Sequence, residues 1–91
     1  MKQVWKYHLR PDSLVKEIPV GGIVRYVNEQ FNQICVWVEV DPNRPQEKRF
    51  FEIYGTGHKI HEDMSINRTY LGSVKLHSGS LIFHVYEYVE V

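Results

Sequence analysis

Apolar and polar residues alternate along most of this chain with a period of two, the spacing of a strand that buries one face. From Gln3 to Leu9, Trp5, Tyr7 and Leu9 alternate with Val4, Lys6 and His8, which predicts a strand with its aromatic row turned inward. Arg10-Pro11-Asp12 breaks it. Further β-rich runs cover Leu14 to Ile18, Ile23 to Asn28, Gln33 to Val40, Lys48 to Tyr54, Thr69 to Leu76 and Leu81 to Val89. Ile34-Cys35-Val36-Trp37-Val38 is apolar on both faces and belongs at the centre of a sheet. Turns are expected at Pro19-Val20-Gly21-Gly22, at Glu29 to Asn32 and at Asp41-Pro42-Asn43-Arg44-Pro45. His77-Ser78-Gly79-Ser80 joins the last two runs as an antiparallel hairpin. No stretch carries a convincing 3.6-residue period.

Seven short strands, with connections mostly too short for crossovers, predict an all-β chain: one compact antiparallel sandwich or barrel over residues 1–91. The expected core is Trp5, Tyr7, Ile23, Ile34, Val36, Trp37, Val38, Phe51, Ile53, Val74, Phe83 and Val85. The last run is read as an exposed edge that Glu87 and Glu90 partly protect from pairing with other chains.

Composition agrees with this pattern. The chain has no alanine but twelve Val and seven Ile, a bias toward pleated sheet and away from helix surface. Eleven Lys plus Arg balance eleven Asp plus Glu, so the electrostatic footprint of a nucleic-acid polymer binder is missing. One cysteine excludes an intramolecular disulfide framework, and Cys35 between Ile34 and Val36 reads as a small buried hydrophobe. No signal peptide and no membrane span are expected, which points to a cytoplasmic protein. A core this small gains from burying more apolar area, so a homo-oligomer is expected, built on the last strand or on an aromatic face.

Candidate chemistry gathers around the long segment after the fifth run. Gly55 and Gly57 allow backbone to approach a ligand closely, while Thr56 and His58 offer a hydroxyl and an imidazole. A plain turn explains the same glycines. Arg49 and Arg68 flank the segment, and an inward-facing arginine can clamp a phosphate bidentately. His58-x-x-His61 with Glu62-Asp63 has ligand types suited to zinc, but that spacing in a loop does not bring them together, and no metal or cofactor is expected. His84 is either a satisfied core histidine or the lining of a site with Tyr54 or Tyr70.

Lys6-Tyr7, Ile18-Pro19-x-Gly21, Cys35-x-Trp37, Val40-Asp41, Tyr54-Gly55-Thr56-Gly57-His58, Tyr70-Leu71-Gly72 and Phe83-His84-Val85-x-Glu87 run in an order that resembles a family of uncharacterised small proteins from bacteria and their phages, catalogued as a domain of unknown function. The resemblance implies a compact β domain in a phage or mobile-element setting, with no established reaction. In size and expected oligomer formation the chain is similar to the small phage proteins that sequester nucleotide immune signals, which is an analogy only.

The leading expectation is therefore a non-enzymatic module that sequesters a small anionic, nucleotide-derived ligand through Arg49, Tyr54, Gly55, Thr56, Gly57, His58, Arg68, Tyr70 and His84. Tyrosines would stack on a base, glycine amides and arginines would hold phosphates, and Thr56 or His58 would bond a ribose. The alternative is a protein-interaction or structural accessory module. A hydrolase using His58 or His84 as base ranks last, because no complete catalytic set accompanies either histidine.

Overall fold

Strands form where the alternation places them. The computed structural model describes residues 1–91 and has β1 at Gln3–Leu9, β2 at Val15–Pro19, β3 at Ile23–Gln30, β4 at Gln33–Val40, β5 at Gln46–Gly55, β6 at Ile66–Leu76 and β7 at Leu81–Glu90. A three-stranded sheet in the order β1-β4-β3 packs on a four-stranded sheet in the order β2-β5-β7-β6, and every paired neighbour is antiparallel. The chain is an all-β sandwich. β4, apolar on both faces, is the central strand of its sheet as its sequence predicts.

The core lies between the sheets and consists of Leu9, Ile18, Ile34, Val36, Val38, Val40, Phe51, Val74 and Val85. Each such side chain contributes about 1.5–3 kcal/mol of transfer free energy when fully buried. Trp5, Tyr7, Ile53 and Phe83 pack against this cluster while partly buried. Along one side the edge strands β3 and β6 close on each other. A Cβ placed on Gly72 would lie 3.4 Å from Val27 Cβ, at the border of ordinary van der Waals contact, so the two edges run close there.

Three expectations are corrected. Trp37 is not a core residue: Val36 and Val38 face inward, and the two-residue period turns Trp37 to the outer face beside Tyr26, ring centroids 5.3 Å apart. Ile23, 43% exposed, pairs with Glu39 and also faces outward, ahead of a bulge between Val24 and Tyr26. The last strand is not an edge, because β7 is bonded to β5 on one side and β6 on the other. Leu9, Ile18 and Val40 join the core although the sequence did not single them out.

Cys35 is the small buried hydrophobe expected, but it sits on the outer face of β4, opposite His8 and Asn28. Lys6 on β1 reaches diagonally across it to bond Gln30 on β3. Burial pushes the thiol pKa up, with Lys6 pulling the other way. Native protein at pH 8 is therefore expected to react with a thiol-specific disulfide reagent roughly a hundredfold more slowly than urea-unfolded protein. Equal rates would show that the Lys6–Gln30 strap does not shield the sulfur.

Candidate functional site

The outer face of the four-stranded sheet collects most of the predicted residues. Phe51, 2% exposed, fixes the inner face of β5, so Glu52 and Tyr54 project outward. Val85 does the same on β7, which turns His84 and Tyr86 outward. On β6 a bulge between Tyr70 and Gly72 inserts one residue, and this places both Tyr70 and Ser73 on the outer face. Tyr70 stands opposite Tyr86, and both Ser73 and Tyr54 stand opposite His84. The result is an edge-on tyrosine row across three strands, with centroids 5.9 Å apart for Tyr54–Tyr86 and 5.3 Å for Tyr70–Tyr86.

A directional hydrogen-bond chain runs beside the row. Thr56 Oγ1 lies 3.4 Å from the Ile82 carbonyl, to which it donates, and 2.9 Å from His84 Nε2. With the Thr56 proton on the Ile82 carbonyl, Thr56 accepts from Nε2–H in the tautomer that leaves Nδ1 as an acceptor. The Ser73 hydroxyl, 2.9 Å away, then donates to Nδ1 and accepts from the Tyr70 hydroxyl. His84 is thus a half-buried, doubly bonded imidazole. A hydroxyl, rather than a carboxylate, holds its second nitrogen, so the chain lacks the acid that would stabilise an imidazolium.

Arg68 shares this face. Its Nε donates to Glu52 Oε1 at 2.6 Å, and one terminal nitrogen donates to the His61 carbonyl at 2.9 Å, pinning the 56–65 segment to the sheet. The Tyr54 hydroxyl donates to the other oxygen of Glu52 at 2.8 Å. Burial first, and Glu52 second, push the Tyr54 phenol above its ordinary pKa, so it stays a neutral donor.

Arg49, Gly55, Gly57 and His58 do not join this set. Arg49 lies on the inner face of β5, where Nε and a terminal nitrogen clamp Glu87 and the other terminal nitrogen donates to the Gly22 carbonyl at 2.7 Å. Three of its five N–H donors are taken up within the fold. The His58 ring fills the space a Gly55 side chain would need, with Cε1 only 2.9 Å from that Cβ position, and its Nδ1 accepts the Gly55 N–H at 3.2 Å. Gly57 adopts φ +87°, closing the turn. The Gly-Thr-Gly-His stretch is a self-bonded turn from which Thr56 alone reaches the outer face. Nowhere do three His, Cys, Asp or Glu side chains converge as a metal site requires.

The largest cleft, about 730 Å³, opens where β3 and β6 diverge toward their turns and is lined only by non-hydrophobic residues, among them Asn28, Asn32, Ser73, Lys75 and His77. Asn32 ties the two turns together, accepting the His77 backbone N–H at 3.0 Å. Ser73 belongs to both the cleft and the hydrogen-bond chain. Sequence reasoning missed Tyr86, Ser73, Glu52 and this cleft. The alternation His84, Tyr86, Tyr88 was a usable signal for Tyr86. The bulge that turns Ser73 outward has no such signal.

The whole chain, residues 1–91, matches one family, described as a domain of unknown function (DUF7352). No curated protein and no solved structure matches it.

Proposed function

The chain belongs to the DUF7352 family, a domain of unknown function, and on that premise we propose that it is a non-enzymatic binding module for a small anionic, nucleotide-derived ligand. One observation carries the reading: the tyrosine row and the wholly polar cleft meet at Ser73. A base would lie against Tyr70 and Tyr86, ribose hydroxyls would bond Thr56 and Ser73, and phosphate would meet Lys75 and His77 in the cleft. Arg68 uses three of its five N–H donors on Glu52 and the His61 carbonyl, and a phosphate oxygen would take the others. In the phage or mobile-element setting that the sequence resemblance implies, the ligand would be a nucleotide immune signal sequestered in the host bacterial cytoplasm. A second reading, a protein-interaction or accessory module, draws on the exposed aromatic surface of the row, where Tyr70 is 54% exposed.

Titration calorimetry with a panel of linear nucleotides, cyclic nucleotides and ADP-ribose-type compounds tests the proposal. At least one member is expected to bind with saturable heat. Tyr86→Ala should weaken that binding about 10- to 100-fold, since a stacked base is worth about 1–3 kcal/mol. Absence of heat with every member would favour the second reading.

A further inference from the structure

We infer that the sandwich holds a second ligand site between its sheets, for a small α-amino acid with an apolar side chain. It lies at the end that carries the β1–β2 and β3–β4 turns. The inference stands apart from the nucleotide reading, because only Asn32 lines both this site and the polar cleft.

A cavity of about 350 Å³ opens at this end. Both sheets build its apolar wall: Leu9 and Ile34 from β1 and β4, and Ile53, Leu76 and Phe83 from β5, β6 and β7. Strand parity explains the set. Leu9 and Ile34 are paired core residues, and Ile53, Leu76 and Phe83 each stand two positions from the buried Phe51, Val74 and Val85. Protein interiors hold few voids larger than a water molecule, yet no side chain of this chain fills the opening. The cleft at the opposite end of the sandwich is lined instead by polar groups, among them Arg49, Glu47 and Glu87. Ligand sites span about 300–1,000 Å³, so the apolar hollow suits a molecule of amino-acid size.

The rim supplies the polar ends of the ligand. Arg10 and Asp12 are exposed and belong to the β1–β2 turn, which the Arg10–Ser13 backbone pair closes. Neither side chain takes part in any of the four ion pairs of the chain. Gln33, also in the wall, carries a side-chain carbonyl that is buried without a donor. Leaving such an acceptor unmade costs its full desolvation. One rim therefore holds a guanidinium, a carboxylate and an amide oxygen that the fold leaves unpaired. An α-amino acid matches each of them. Its carboxylate fits the Arg10 fork, and its ammonium has three donors for Asp12 and Gln33 Oε1. Its side chain then enters the hollow. A fatty acid would leave Asp12 unpaired beside its own negative charge, and an apolar amine would do the same to Arg10.

Methyl and amide NMR of the full chain, titrated separately with L-leucine, L-methionine and L-phenylalanine, tests the site. At least one is expected to give saturable shifts at the methyls of Leu9, Ile34, Ile53 and Leu76. Its N-acetyl derivative lacks the ammonium and its carboxamide lacks the carboxylate, and each should bind about tenfold more weakly. Arg10→Gln and Asp12→Asn alter exposed side chains outside the ion pairs, so the fold is retained. Arg10→Gln should erase the preference for the amino acid over its carboxamide, and Asp12→Asn the preference over the N-acetyl derivative. Absence of saturable shifts at these methyls with all three amino acids overturns the inference. Equal binding of the parent and both derivatives also overturns it, since the hollow would then select nothing but apolar bulk.

Discussion

Arg49→Leu is expected to cost this domain about 3–5 kcal/mol, out of a total stability of about 5–15 kcal/mol. The side chains of Arg49 and Glu87 are only 17% and 14% exposed. Removing the guanidinium strands the Glu87 carboxylate and takes a donor from the Gly22 carbonyl. The same guanidinium is the cation nearest Tyr7, whose hydroxyl is buried without a partner. Because the loss comes from the charge left behind, the matched Arg49→Leu/Glu87→Leu variant should recover most of it. Urea unfolding of the two single variants and the double variant measures the coupling. If the losses simply add, the pair is two independent side chains. The double variant also separates structure from function: Arg49 is on the inner face, so nucleotide binding on the outer face should survive its replacement.

Phe51→Ala is expected to cost a similar amount, about 3–5 kcal/mol, by a different route. Phe51 is among the largest fully buried side chains and joins the four-stranded sheet to the core cluster shared by both sheets. Truncation leaves a cavity between two rigid sheets that cannot collapse into it. Its neighbour Phe50 faces outward against Tyr88, with centroids 5.6 Å apart. Phe50→Ala should cost less than half as much in the same urea series. Near-equal losses would mean that the assignment of inner and outer faces on β5 is wrong.

Much of the fold was legible because a period of two is a direct readout of which face each residue occupies. The strand at Gln33–Val40 follows from it residue for residue and β7 within one residue, whereas β6 begins at Ile66, three residues before the expected Thr69. The two misplaced core residues share one cause. Trp37 and Ile23 are apolar residues at outward positions, where size and hydrophobicity point inward while strand parity, set by the buried Val36 and Val38, points outward. Strand order was not legible either. Being last in the chain made β7 look like an edge, whereas sheet order is decided by long-range pairing that no local pattern encodes.

The candidate site divides along the same line. Tyr54, Thr56, Arg68, Tyr70 and His84 come from three strands and a turn, yet they meet on one face. Arg49 has a suitable charge but sits on the opposite face, because one position separates it from the outward Phe50. His58 has the imidazole, but its Nδ1 bonds the turn it belongs to. Ser73 is not legible, because the β6 bulge shifts its parity and a bulge leaves no mark in hydrophobic alternation.

The outer face of the four-stranded sheet, with the cleft beside it, is the proposed binding surface, and amide and side-chain NMR shifts recorded during titration with a nucleotide are its sharpest test. The largest shifts are expected at Thr56, Arg68, Tyr70, Ser73, His84 and Tyr86, with Lys75 and His77 following when the ligand carries phosphate, while Arg49 and Trp37 stay still. Shifts centred on Trp37 and Tyr26, or around Arg49 and Glu87, would contradict it.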